Sequence, residues 1–244
     1  MFKKQKMSKA IIITLVGVVL ALTNITGNQN QRKDNMNKVK IIYVYDAICG
    51  WCFGFSPTMA KIKENYKTEI EFEVVSGGLK LGKGVGPIDV VAPYIKTSYQ
   101  QVEKTCGVKF GDAFVNGTLK QGTMILNSLP PAIALSIMKE KYPEKSLDFA
   151  GLLHKMYYVD GIEPENYEAY GIYAAKLGYD KTEFNKKMKD STYINKAYKD
   201  FEYAQLLGAN SFPTVILDKE GKREILFQGF ITFDRAKKII DSKL

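Results

Sequence analysis

A β-branched, aromatic run, Val39-Lys40-Ile41-Ile42-Tyr43-Val44-Tyr45, stops just before two cysteines spaced two residues apart in Cys49-Gly50-Trp51-Cys52. The run reads as a buried strand. Beyond it, Phe53 to Lys67 carries Phe55, Met59, Ile62 and Tyr66 at helical spacing, with Pro57 placed in the first turn. The sequence therefore predicts strand, CxxC, helix, with Cys49 at the helix N-terminus. Free N–H groups and the helix dipole favour negative charge there, so the first sulfur is the candidate thiolate and Cys52 a second thiol one turn on. Such a pair is the minimum machinery for thiol–disulfide exchange. A structural disulfide and half a zinc site are the other readings of a CxxC. Zinc usually takes two close ligand pairs, and Cys106 and His154, the only histidine, lie far off in sequence. No metal is expected.

Glu69 to Val75 alternates polar and apolar side chains and predicts a second strand, closed by Ser76-Gly77-Gly78. A β-α-β unit of this length gives parallel neighbours. Helices are predicted at 88–104, 128–141, 147–159, 164–177, 181–189 and 193–207, preceded by a flexible stretch from Leu81 to Pro87. Asn127 or Ser128 is placed as a cap for the second, and Gly178 and Gly208 as stops. Strands return at Thr214–Leu217 and Glu224–Gln228, joined by an Asp218-Lys219-Glu220-Gly221 turn as an antiparallel hairpin. A last helix, 233–243, is expected behind a Thr232 cap.

At this point a resemblance is carried by two motifs. Asp46-Ala47-Ile48-Cys49-Gly50-Trp51-Cys52-Phe53-Gly54 resembles the DsbA family of thioredoxin-fold oxidoreductases, most closely its protein-disulfide-isomerase-like branch. Ser211-Phe212-Pro213-Thr214-Val215-Ile216-Leu217 resembles the loop that carries a cis-proline opposite the active-site cysteines. The resemblance implies an α/β thioredoxin fold, β-α-β then β-β-α, built from residues 39–78 and 208–244. A large all-helical insertion, 79–207, falls between the second strand and the cis-proline strand. It implies Cys49 as a solvent-facing nucleophile, Cys52 as the buried resolving thiol, and Trp51, Phe212 and Pro213 as the surface that meets a substrate chain. The family's buried acid six residues before the first cysteine is replaced by Tyr43, which leaves proton handling to Asp46 or water. The plain reading of Asp46 is a turn or helix-entry residue. No cofactor is implied; the partners are cysteine-containing proteins and a redox recycling partner of unknown identity.

Four lysines (Lys3, Lys4, Lys6, Lys9) precede an uncharged apolar run, Ala10 to Leu22, and then a polar spacer to Lys38. This is the pattern of a secretory signal, poorly marked for cleavage, so residues 1–38 read as a leader or as an N-terminal anchor tethering an exported protein to the membrane. Seven basic residues and one acid lie in that segment, which accounts for +6 of the +9 formal charge and leaves +3 over the rest. No basic stripe remains for nucleic acid, and that class is excluded. Three cysteines are too few for a disulfide scaffold. Cys106 reads as an unpaired packing residue, and the tyrosine-rich helices as core. Two other functions stay open: a chaperone-like binder of unfolded chains, and glutathione-linked isomerase or transferase chemistry of the kappa-like branch, whose members usually carry Ser at the first cysteine.

Overall fold

The computed structural model describes residues 39–244; the predicted leader or anchor lies outside them. In chain order the elements are β1 (Val39–Tyr45), α1 (Gly50–Tyr66), β2 (Ile70–Ser76), β3 (Gly86–Pro87), α2 (Ala92–Cys106), β4 (Ile125–Leu126), α3 (Leu129–Lys141) and α4 (Ser146–Tyr158). They continue with α5 (Tyr167–Ala175), α6 (Lys181–Lys187), α7 (Ser191–Leu206), β5 (Thr214–Lys219), β6 (Lys222–Gln228) and α8 (Phe233–Asp241). One four-stranded sheet has the order β2-β1-β5-β6. β1 pairs parallel with β2 and antiparallel with β5, and β5–β6 is an antiparallel hairpin with a bulge near Val215. This is a thioredoxin-type sheet.

β1 is buried on both faces, as its apolar run requires. Ile41, Tyr43 and Tyr45 join the larger core; Ile42 and Val44 join a smaller one with Val75, Ile216, Ala204 and Ala209, under α7. α1 buries Cys52, Phe55, Met59, Ile62 and Tyr66, one helical face, in the larger core. Residues of α2 to α7 belong to that same core, so the helices between β2 and β5 share it with the sheet.

Several boundaries differ from expectation for local reasons. α1 begins three residues earlier than predicted, so Pro57 lies in its interior, and the Phe53 carbonyl has no amide from residue 57 to accept. The predicted helix from 88 is a 3-10 turn (Ile88–Val90) followed by α2, which has proline in its first turn. α5 starts at Tyr167, behind an Asn166 side chain that accepts from the Ala169 amide, which leaves Pro164 outside. Asn127 accepts from the Leu129 amide at the start of α3, while Thr232 occupies the α8 cap position without a side-chain bond. The segment between β2 and β5 is not wholly helical, because β3 and β4 form a two-residue ribbon inside it. A short helical stretch, Ala113–Thr118 running on to Gln121, was also absent from the sequence reading; its Gly117 interrupts the helical periodicity.

Candidate active site

Cys49 takes the N-cap position of α1 with extended backbone, and Gly50 to Phe53 form the first turn. Its thiol faces the Phe212 carbonyl at 3.7 Å, and the Phe212–Pro213 peptide is cis. Two residues 163 positions apart therefore meet, as thioredoxin topology requires. The sheet explains the meeting: β5, which follows Pro213, pairs with β1, which precedes Cys49.

Cys49 is not open to bulk solvent as the sequence reading expected; only 9% of its surface is exposed. Helices contributed by the 79–207 segment wall it in. It opens instead into an apolar cavity of about 350 Å³, lined among others by Trp51, Ile95, Val102, Phe114, Leu126 and Tyr158. Lys80 is the only charged side chain among the described lining residues. Leu79, Val90 and Tyr94 lie close by in the chain or the wall and are exposed, an apolar rim to the cavity.

Cys52 is completely buried, and burial, reinforced by its hydrogen bond with Cys49, pushes its thiol well above the usual range. All three cysteines are free thiols. Cys106 packs against the backbone of Gly54 on α1, where an added Cβ would lie 2.6 Å from its sulfur, and burial raises its pKa to about 11. Trp51 is half-buried in the cavity wall, and Pro213 is buried. The Phe212 ring lies over Gly77, leaving the Phe212 main chain as the part that faces Cys49.

Asp46 is buried, and its carboxylate accepts from the Ile48 amide at 3.0 Å and the Leu79 amide at 2.7 Å. Burial raises its pKa, against the lowering effect of those amides. The side chain thus ties the β1–α1 loop to the chain leaving β2, a wider task than a turn residue. His154 supports the same loop from α4. Its Nε2–H donates to the Asp46 carbonyl (3.2 Å), so Nδ1 is the acceptor for the Ser56 hydroxyl at 2.7 Å. Burial lowers the His154 pKa to about 4, so the ring is neutral in the fold at neutral pH. Nothing local in sequence pairs Asp46 with residues 79 and 154. Among the described residues there is no cluster of three metal-ligating side chains.

The sequence profile of the DSBA-like thioredoxin domain family matches residues 40–240, nearly all of the described chain. The chain belongs to that family. Its membership makes it a thiol–disulfide oxidoreductase. Among solved structures it is similar to a Nitrosomonas europaea protein described as a protein disulfide isomerase, with 19% identity, TM-score 0.74, and coverage of 84% of this chain and 97% of the other. The cytosolic disulfide reductase DsbM from Pseudomonas aeruginosa aligns with 20% identity and TM-score 0.71 over 84% and 98% of the two chains. A 2-hydroxychromene-2-carboxylate isomerase aligns with 14% identity and TM-score 0.57 over 84% and 94%. At these identities the likeness establishes the fold. Among curated proteins, none shows significant sequence similarity to the chain.

Proposed function

We propose that the protein exchanges disulfides in other proteins outside the cytoplasm, with Cys49 as the attacking sulfur and Cys52 as the resolving one. The observation that carries this reading is the Cys49 thiol at the N-terminus of α1, facing the Phe212 carbonyl and opening into an apolar cavity. That position sets the sulfur at the end of α1, next to its first turn. As a thiolate it attacks a client disulfide, forming a mixed disulfide and releasing one client thiolate. Cys52 then loses its proton and attacks Cys49, which expels the second client sulfur and leaves the Cys49–Cys52 disulfide. Run backwards, the same steps oxidise a client dithiol.

The client sulfur approaches past Trp51 and the Phe212–Pro213 main chain, where an extended chain can pair with the backbone. The cavity beside Cys49 has room for an apolar client side chain. One lysine is a poor match for glutathione, which carries two carboxylates and an ammonium group, so polypeptide clients are favoured over glutathione conjugates. Export is supported by the lysine-flanked apolar run at 10–22. Among the described residues no helix is long and apolar enough to cross a membrane, so any tether is a role for the leader.

Reduction of insulin, compared between the intact protein and Cys49→Ser, tests the reading. The expected result is loss of activity in the variant. Unchanged activity would favour a chaperone-like binder, and turnover of glutathione conjugates would favour the isomerase or transferase branch.

A further inference from the structure

The cavity beside Cys49 is apolar almost throughout, and the exception bears on what enters it. Among the described residues of its wall, the buried ones carry two side-chain hydrogen-bond donors, the Cys49 thiol and the Tyr158 hydroxyl. The others, such as Ile88, Val102, Phe110 and Leu126, are apolar.

Tyr158 is the last residue of α4, and its ring sits in a cage of other rings. Centroids of Phe53, Phe110 and Phe114 lie 5.3, 5.2 and 5.1 Å away, and His154 lies at 6.5 Å. The residue is only 7% exposed. Its carbonyl accepts from the Gly111 amide, but its hydroxyl has no hydrogen-bond partner among the described residues. Buried tyrosines nearby are paired: the Tyr157 and Tyr170 hydroxyls meet at 2.6 Å, and Tyr170 also reaches the Pro164 carbonyl at 2.8 Å. Among the described residues, the one sealed side-chain oxygen or nitrogen without a partner belongs to Tyr43. The Tyr158 hydroxyl is therefore not sealed, and it opens on the cavity that its ring lines. A nearly buried hydroxyl is costly until something in that space bonds to it.

We propose that this cavity receives the side chain of a tyrosine or tryptophan next to the client's cysteine, and that the Tyr158 hydroxyl recognises its polar tip; this rests on the Cys49 reading above. Both side chains join a large apolar body to a single hydrogen-bonding tip. The body covers the apolar wall. The tip pairs with Tyr158, a client hydroxyl as donor or acceptor and an indole N–H as donor. Tyr157 and Tyr170 show the same hydroxyl-to-hydroxyl pairing within the fold. Phenylalanine or leucine would cover the Tyr158 hydroxyl and leave it unpaired, so they fit the space less well.

The test is the rate at which the full chain, in a Cys106→Ser background, reacts with short peptides whose one cysteine is capped as a thionitrobenzoate mixed disulfide. The Cys49 thiolate attacks the peptide sulfur and forms a new S–S bond. Thionitrobenzoate leaves with the electron pair of the broken bond and is read by its absorbance. The residue beside the peptide cysteine is tyrosine, tryptophan, phenylalanine or alanine. The tyrosine and tryptophan peptides are expected to react about fivefold faster than the phenylalanine one, the effect of roughly one net hydrogen bond. Tyr158→Phe should reverse the order of tyrosine and phenylalanine, because the client hydroxyl then has nothing to bond. A peptide with its tyrosine moved far from the cysteine should match alanine. Equal rates for tyrosine and phenylalanine in the parent, a comparison that needs no variant at Tyr158, would overturn the assignment. So would equal slowing of every peptide by Tyr158→Phe, which would show that the residue only packs. A parent that reacts with none of the peptides would remove the exchange reading and this inference with it.

Discussion

Asp46 and His154 show how much of the site's precision depends on residues outside the cysteine pair. The Asp46 carboxylate is the acceptor for two buried amides on different segments. Asp46→Ala leaves both without a partner, and should cost about 1–3 kcal/mol in urea unfolding. The loss of stability should exceed what a surface carboxylate would cause, and a change no greater than that would deny the clamp. His154 gives a pH dependence of defined sign. Its pKa falls from an ordinary 6.5 to about 4 on folding, so the unfolded chain binds the extra proton between those values. Stability from this residue is complete above pH 6.5 and is lost as the pH drops towards 4, by on the order of 3 kcal/mol. Unfolding titrations from pH 7 to 4 check it, with His154→Gln expected to flatten the slope. At this scale the sequence was legible where chemistry is local. Cys49 and Cys52 announce themselves by spacing and setting. The clamp made by Asp46 and the support from His154 were not legible, because their partners lie 33 and 108 residues away.

Elements are held in place here by close approach of main chain to side chain. Gly77 follows β2 directly beneath the Phe212 ring, and an added Cβ would lie 2.1 Å from it. Gly77→Ala must therefore displace the Phe212 ring, and the ring is part of the loop that faces Cys49. It is expected to cost about 1–3 kcal/mol of stability and to lower exchange activity with it. Insulin reduction and urea unfolding read both, and a variant with the parent's values would show that the loop does not depend on this contact. Element types were read well wherever periodicity is strong, as in β1, α1 and the β5–β6 hairpin. The misses lie where the chain is short or interrupted. The β3–β4 ribbon has two residues a side, and the 113–121 helical stretch carries a glycine. Neither leaves a repeating pattern to read.

Over the molecule as a whole, the sheet and the helices between β2 and β5 contribute to one continuous core. The two should unfold together, although the chain order splits them. Trp51, the only tryptophan, reports on the site, while far-ultraviolet dichroism is dominated by the helices. Coincident urea transitions by the two probes are expected, and separate midpoints would contradict a shared core. The thioredoxin order of strands could be read from the sequence because its two halves carry distinct motifs. The walling-in of Cys49 could not, because it depends on how α2 packs against α1 and on distant residues such as Phe114 and Tyr158 reaching the cavity wall.

The central claim is that Cys49 is the sulfur that meets the client. Its most direct test is to incubate the Cys52→Ser protein, which cannot resolve, with a peptide disulfide and locate the trapped adduct by peptide mass spectrometry. The account predicts a mixed disulfide on Cys49. An adduct confined to Cys106, or none under conditions where free thiols react, would contradict it.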